Sequence, residues 1–338
     1  MYLMIFYKTN MAGAIFLANK TILGVIMYYG ERKKGCRFIE VVFHGCRSLI
    51  IENSAMRMMI LLDKGMNIVS YVLKQTDTEF IWTNPMGLSC IEKNRLSKMD
   101  KYSESDNYVG GFFEIMPNVG GSCKFESMHF CDNSETAYLP WDYQVVEDTE
   151  EKMVFQFCTK LSKYPFYIKK TMTIKDGTPE VEFEESVKNL GSIPLKYQWA
   201  LHPNIGGTFL SERCVIETPF SDSLPVPCEG AMKQSLRIYD CAGDGVACVR
   251  DTVSKTGFAL SWDVSVFSHC GIWINSGYSN GHHRHGGAYV VSVLPINSGC
   301  FGIDEAVRSD DCDILGGGES HSCSYRFSAF HGESPYGA

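Results

Sequence analysis

The 14 cysteines of this 338-residue chain run from Cys36 to Cys323 with no C-x-x-C pair and no regular spacing. That absence argues against zinc ribbons and thioredoxin-type chemistry. With no clear secretory signal, the expectation is a reduced, cytoplasmic protein that uses cysteine as a small hydrophobe. Basic runs are equally scarce: Arg32, Lys33 and Lys34 form the one short cluster, against a net charge of −8. Such a balance opposes binding to nucleic acid or to an anionic membrane surface. A neutral or weakly charged small molecule is the better-matched partner. From Leu61 onward no dozen residues sustain an apolar period of 3.6, so helices are expected to be few and short. Internal repeats, low-complexity stretches and linkers are missing as well.

What remains is ordinary globular material, 45% hydrophobic and 21% charged, enough for a large core. The segment MAGAIFLANKTILGVIMYY, Met11 to Tyr29, is apolar enough to suggest a membrane anchor. Lys20 in its middle would cost about 3 kcal/mol in a spanning helix. Residues 1–35 are therefore read as an N-terminal extension or early strands, with no stable membrane association. Residues 36–338 are read as one domain.

Short alternating or apolar runs bounded by turn residues follow from Cys36. Examples are Ser48 to Glu52, Met56 to Leu62, Asn67 to Leu73, Lys152 to Leu161, Phe166 to Ile174, Glu180 to Lys188 and Ala288 to Leu294. The turns between them fall at Asp63 to Gly65, Asp176 to Gly177 and Asn189 to Gly191. This pattern predicts an all-β chain, a large antiparallel β-sandwich.

The stretch YQWALHPNIGGTFL, Tyr197 to Leu210, predicts a strand from Pro194 to His202 that Pro203 ends. Tyr197, Trp199 and Leu201 point to one face and Gln198, Ala200 and His202 to the other. His202 is thus expected at a strand end on a polar face, opposite a core Trp199.

Four further stretches accompany it in order: TDTEFIWTNPMGL, GGFFEIMPNVGG, DNSETAYLPWDYQVVED and AYVVSVLPINSG. Together the five resemble the galactose mutarotase-like superfamily, the aldose 1-epimerases and their relatives. The likeness runs from about Arg47 through Leu315 to Ser320 and on to the C-terminal strand. It implies a β-supersandwich with a sugar-binding cleft on a concave face. It also implies interconversion of aldose anomers, in which a base takes the C1 hydroxyl proton and an acid protonates the ring oxygen. His202 answers to the family's acid histidine. No cofactor is implied.

Two positions depart from the pattern. The assisting histidine falls on Asn133, eight residues before Trp141, and the glutamate base falls on Leu294 before Pro295. A leucine accepts no proton. Glu114, Glu135, Asp263, Asp304 and Glu305 are the carboxylates weighed as replacements, with only the first two in segments expected to border the cleft. Asn118, Asn133 and Glu114 are expected substrate contacts. The run GYSNGHHRHGG brings His282, His283 and His285 to the cleft edge, where they are read as hydroxyl-binding groups or a substitute acid or base. A metal site is not assigned there, because adjacent side chains diverge in extended chain and Arg284 repels a cation. Trp82, Phe113, Trp141 and Trp273 are candidate stacking platforms or core. The chain is read as an aldose 1-epimerase-like isomerase on a monosaccharide or sugar derivative, with His202 as acid; the alternatives are a non-catalytic carbohydrate-binding protein on the same fold or another sugar reaction such as elimination.

Overall fold

The computed structural model describes residues 27–28, 32–84, 87, 108–241, 243–278 and 288–336. Alternating sequence becomes alternating burial. Phe166–Lys175 and Val181–Asn189 each bury every second side chain, as a strand with one wet face must. Ala200–Ile205 and nearly all of Tyr289–Ile296 are buried on both faces, so they lie inside the molecule.

Two large antiparallel sheets result. The first has eleven strands, and its central part runs Asn67–Leu73, Phe112–Ile115, Ala200–Ile205, Tyr289–Ile296, His269–Ser276 and Lys233–Asp240. The second has nine, running from Asp142–Asp148 through Phe166–Lys175, Val181–Asn189 and Ser320–His331 to Ser221–Pro225. Between them lies the main core. Tyr71 packs edge-on to Phe327 with ring centroids 5.1 Å apart, and Trp199 edge-on to Phe267 at 5.2 Å. Each such buried ring contributes about 1.5–3 kcal/mol. The all-β sandwich expected from the pattern is the fold observed. Met27–Tyr28 pairs with Ile39 and Glu40, so the end of the N-terminal segment joins the first sheet. No helix among the described residues is long and apolar enough to cross a membrane.

One expected strand is two. Leu195–Tyr197 pairs with Asp313–Leu315, whereas Ala200–Ile205 pairs with Phe112–Ile115 on one side and Tyr289–Ile296 on the other. The break falls at Gln198 and Trp199. Their N–H groups donate to Pro117 O at 2.9 Å and to Asn297 Oδ1 at 2.8 Å. Pro203 does not end the ladder either. It sits opposite Phe112, its carbonyl accepts from Ser292 Oγ at 2.6 Å, and pairing continues through Asn204 and Ile205. A proline lacks only its own N–H donor, and this position needs none.

Candidate functional site

Neighbouring residues of Ala200–Ile205 serve opposite faces. Leu201 and Ile205 join the core between the sheets, as do Phe112, Val291, Val293, Ile272 and Ile274 from adjoining strands. Ala200 belongs to a second buried cluster on the outer face, with Phe113, Ile115, Trp273, Val290, Leu294 and Ile296. His202 projects among these. It is 7% exposed, so the polar, strand-end setting expected for it is corrected to a buried one in mid-strand.

Its surroundings fix its orientation. Phe113, its partner in the adjoining strand, stacks on the imidazole with centroids 4.9 Å apart and planes 7° from parallel. Trp273 and Tyr108 meet it edge-on at 6.3 and 6.4 Å. Asn204 lies two residues on, on the same face, with Nδ2 3.1 Å from His202 Nδ1. That amide cannot be flipped, since Nδ2 also donates to the carbonyl of Gly111 at 2.6 Å while Oδ1 accepts from Tyr108 Oη at 2.8 Å. A carbonyl only accepts, so the Asn204 nitrogen is the donor. Nδ1 of His202 is then an acceptor, and the neutral ring carries its proton on Nε2. Gly111 permits the arrangement: its φ is +90°, and a Cβ there would lie 1.9 Å from Asn67 Oδ1.

The register brings Leu294 to the same place. The pairs Ala200 with Ile296 and Asn204 with Ser292 bracket His202 and Leu294 at equal offsets, so the two stand across from each other on one face. Leu294 is buried, opposite Gly271 in the next strand, and a Cβ on that glycine would meet Phe301 Cζ at 3.3 Å. An apolar side chain therefore occupies the position facing the imidazole.

The proposed carboxylates lie elsewhere. Glu114 pairs with Leu201, not His202, and so faces the inter-sheet core, where its Oε2 lies 2.5 Å from Lys170 Nζ. Lys170 also lies 3.2 Å from Glu185. Burial alone would push the Lys170 ammonium down, but Glu114 and Glu185 hold it well above its ordinary value. Glu185 goes well up, first through burial and then through the charge of Glu114. Glu135 accepts the backbone N–H groups of Ser162 and Lys163 at 2.9 and 2.8 Å, tying down a hairpin, and burial raises its pKa. Asp304 and Glu305 sit on the helix Ile303–Arg308 and pair with Arg308.

Asn118 is fully buried and ties loops together, accepting from Ile303 N at 2.9 Å and donating to the carbonyls of Gly121 and Cys131 at 3.1 and 3.2 Å. Asn133 is half-buried at a φ of 47°, with its Oδ1 accepting from Gly120 N at 2.8 Å. Val119, between these two loops, belongs to the cluster around His202. His282, His283 and His285 lie outside the described residues. Burial pushes the Cys36 thiol up to about 11 and Cys248 to about 12, which disfavours either as a nucleophile.

Asn204 and Ser292 escaped the sequence reading, although Asn204 was within reach of it. Period-2 alternation alone places it on the His202 face, once Pro203 is not taken as a terminator.

No family profile matches the sequence, and no curated protein does. Solved structures do. A provisionally named aldose 1-epimerase from Klebsiella pneumoniae superposes with a TM-score of 0.74 at 14% identity, over 88% of this chain and 85% of that one. A galactose mutarotase-like protein from Clostridium acetobutylicum gives 0.64 at 13% identity, over 88% and 98%. A provisionally named aldose 1-epimerase from Escherichia coli gives 0.58 at 12% identity, over 83% and 98%. The fold of this chain is the galactose mutarotase-like β-sandwich.

Proposed function

We propose that the chain binds a monosaccharide or a close derivative on the His202 face. The observation that carries this reading is the imidazole itself. His202 is stacked on Phe113, with its tautomer set by Asn204, and stands across the ladder from the position where the family resemblance puts a base. Phe113, Trp273 and Trp82 supply the apolar ring faces on which sugar C–H surfaces stack, and the Nε2 proton supplies a hydrogen bond or an acid. A reduced, cytoplasmic setting fits the thiols, all of which are free among the described cysteines.

Within that reading, binding without turnover fits better than mutarotation. Leu294 accepts no proton, Glu114 faces the other side of the sheet, and Glu135 is committed to a hairpin backbone. Ring opening at an appreciable rate needs both acid and base, and a well-placed base contributes ~10²–10⁴-fold. A second reading, slow anomer exchange, is favoured by the Nε2 proton of His202, which is where a general acid carries it.

A panel of aldoses followed by saturation-transfer NMR tests the first reading, and polarimetry on the same samples tests the second. Transfer to at least one sugar in the native protein, lost in His202→Gln, is the expected result. No transfer to any sugar at millimolar concentration would overturn it. Leu294→Glu is expected to raise anomer exchange if the base alone is missing.

A further inference from the structure

The two sheets of the sandwich end side by side. The first stops at the strand Lys233–Asp240 and the second at Ser221–Pro225, and no described strand pairs onto either outer edge. Between these edges opens a cleft of about 780 Å³, a size suited to a small organic ligand. The pairing register shows how it is lined. Lys233, Ser235, Arg237 and Tyr239 stand opposite Ser276, Ile274, Ile272 and Cys270. Residues directly opposite in an antiparallel ladder share a face. Ile272 and Ile274 belong to the inter-sheet core, so Lys233 and Arg237 lie on the inward face and not on the solvent side. Leu224 and Pro225 form the facing wall, and Tyr278, 40% exposed, lines it as well.

Charge sets this cleft apart. The chain has a net charge of −8, yet none of the lining residues is acidic and two are cations. Neither Lys233 nor Arg237 forms an ion pair among the described residues, and both are exposed. Charged side chains do protect sheet edges from pairing. That role would be met by cations turned to solvent; it gives no reason for two of them over an apolar floor. Four residues apart along a strand, their Cα atoms are about 13 Å from each other, with the hydroxyl of Ser235 between.

We propose that this cleft is a second binding site, for an elongated organic anion. Its apolar or ring body lies along Ile272, Ile274 and Tyr239, and its carboxylate, sulfonate or phosphate is held by Arg237 or Lys233. A guanidinium matches such groups with paired N–H donors. The site is separate from the His202 face: Trp273, between Ile272 and Ile274 in sequence, points to the opposite side of the same sheet.

The test uses the full chain and two dyes of like shape. 8-Anilinonaphthalene-1-sulfonate is an aromatic anion, and N-phenyl-1-naphthylamine is the same body without charge. Saturable binding of the anionic dye is expected, weakened at least tenfold in Lys233→Gln/Arg237→Gln and weakened by added salt, whereas the neutral dye responds to neither change. Equal affinity of the anionic dye for native protein and double variant would overturn the proposal. So would binding of the neutral dye as tight as that of the anionic one. Both substitutions are at exposed positions, so folding should survive, as circular dichroism can show. Should the double variant misfold, Arg237→Gln alone and the salt dependence of the native protein decide the question by the same criteria.

Discussion

Two buried polar groups sit back to back on neighbouring strands, and they are handled in opposite ways. On the inner face, Lys170 lies between Glu114 and Glu185, within 3.2 Å of both. On the outer face, one residue along each strand, the imidazole of His202 stacks on Phe113, with Asn204 Nδ2 at 3.1 Å and Ser292 Oγ at 3.4 Å from its Nδ1. The inner cluster spends its polarity on itself and is structural. In the outer one Nδ1 accepts and the ring proton sits on Nε2, the proton that the proposed function offers to a sugar. Two buried groups thus differ in their partners, ions on one face and an aromatic ring with an amide on the other.

The largest effect is expected from removing the charge that both glutamates share. Lys170→Met would leave Glu114 and Glu185 buried against each other, and breaking a buried pair in this way costs about 3–5 kcal/mol. Chemical denaturation at neutral pH checks it. A loss under about 1 kcal/mol would mean that the carboxylates simply take up protons, and that the lysine is dispensable.

A smaller loss is expected on the other face. His202→Ala removes the ring stacked on Phe113 and opens a space in a packed cluster, at about 1–3 kcal/mol. The variant should stay folded while sugar binding disappears. A folded His202→Ala protein that still binds sugar would place the ligand elsewhere.

The sequence shows why these two faces were read unequally well. Strands such as Phe166–Lys175 and Val181–Asn189 were legible because one face is wet, so polarity alternates with the pleat. In Ala200–Ile205 both faces are buried, alternation carries no sign of inside or outside, and His202 passed for a surface group. Glu114 was misplaced for a related reason. Its neighbours Phe113 and Ile115 are as apolar as it is charged, and only the register with Leu201 reveals that it turns toward Lys170, 56 residues away in sequence. Long-range pairing decides such cases, and no local pattern encodes it. The positions His202 and Leu294 were found through ordered motifs, and the ladder does set them across from each other.

The pH dependence of the inner cluster sharpens the contrast further. Glu185 is raised above the ordinary 4.5 by burial and by Glu114, so the folded state binds its proton more tightly than the unfolded state does. Its stabilising share is full below about that ordinary value and is lost as pH rises toward and through the raised one. Glu185→Gln copies the protonated form. It should match the native protein within about 1 kcal/mol in mild acid, because the hydrogen-bonding shape is kept. With rising pH the variant should lose less stability than the native protein. Parallel stability curves would show that Glu185 is ionised in the fold throughout.

The smallest effect is expected from a second lysine–glutamate pair on the same two strands. Lys175 reaches Glu182 at 2.9 Å, as close as the buried partners, but their side chains are 51% and 39% exposed. Water screens both charges, and holding two long side chains together costs entropy, so such pairs contribute about 0–1 kcal/mol. Lys175→Ala should therefore change stability by about 0.5 kcal/mol or less, and 1 M salt should erase what difference there is, since the screening length there is only about 3 Å. The same salt should leave the effect of Lys170→Met almost untouched, because ions do not reach that pair. If both variants respond to salt alike, the inner cluster is wetter than its burial indicates, and the contrast between a closed ionic cluster and exposed pairs fails.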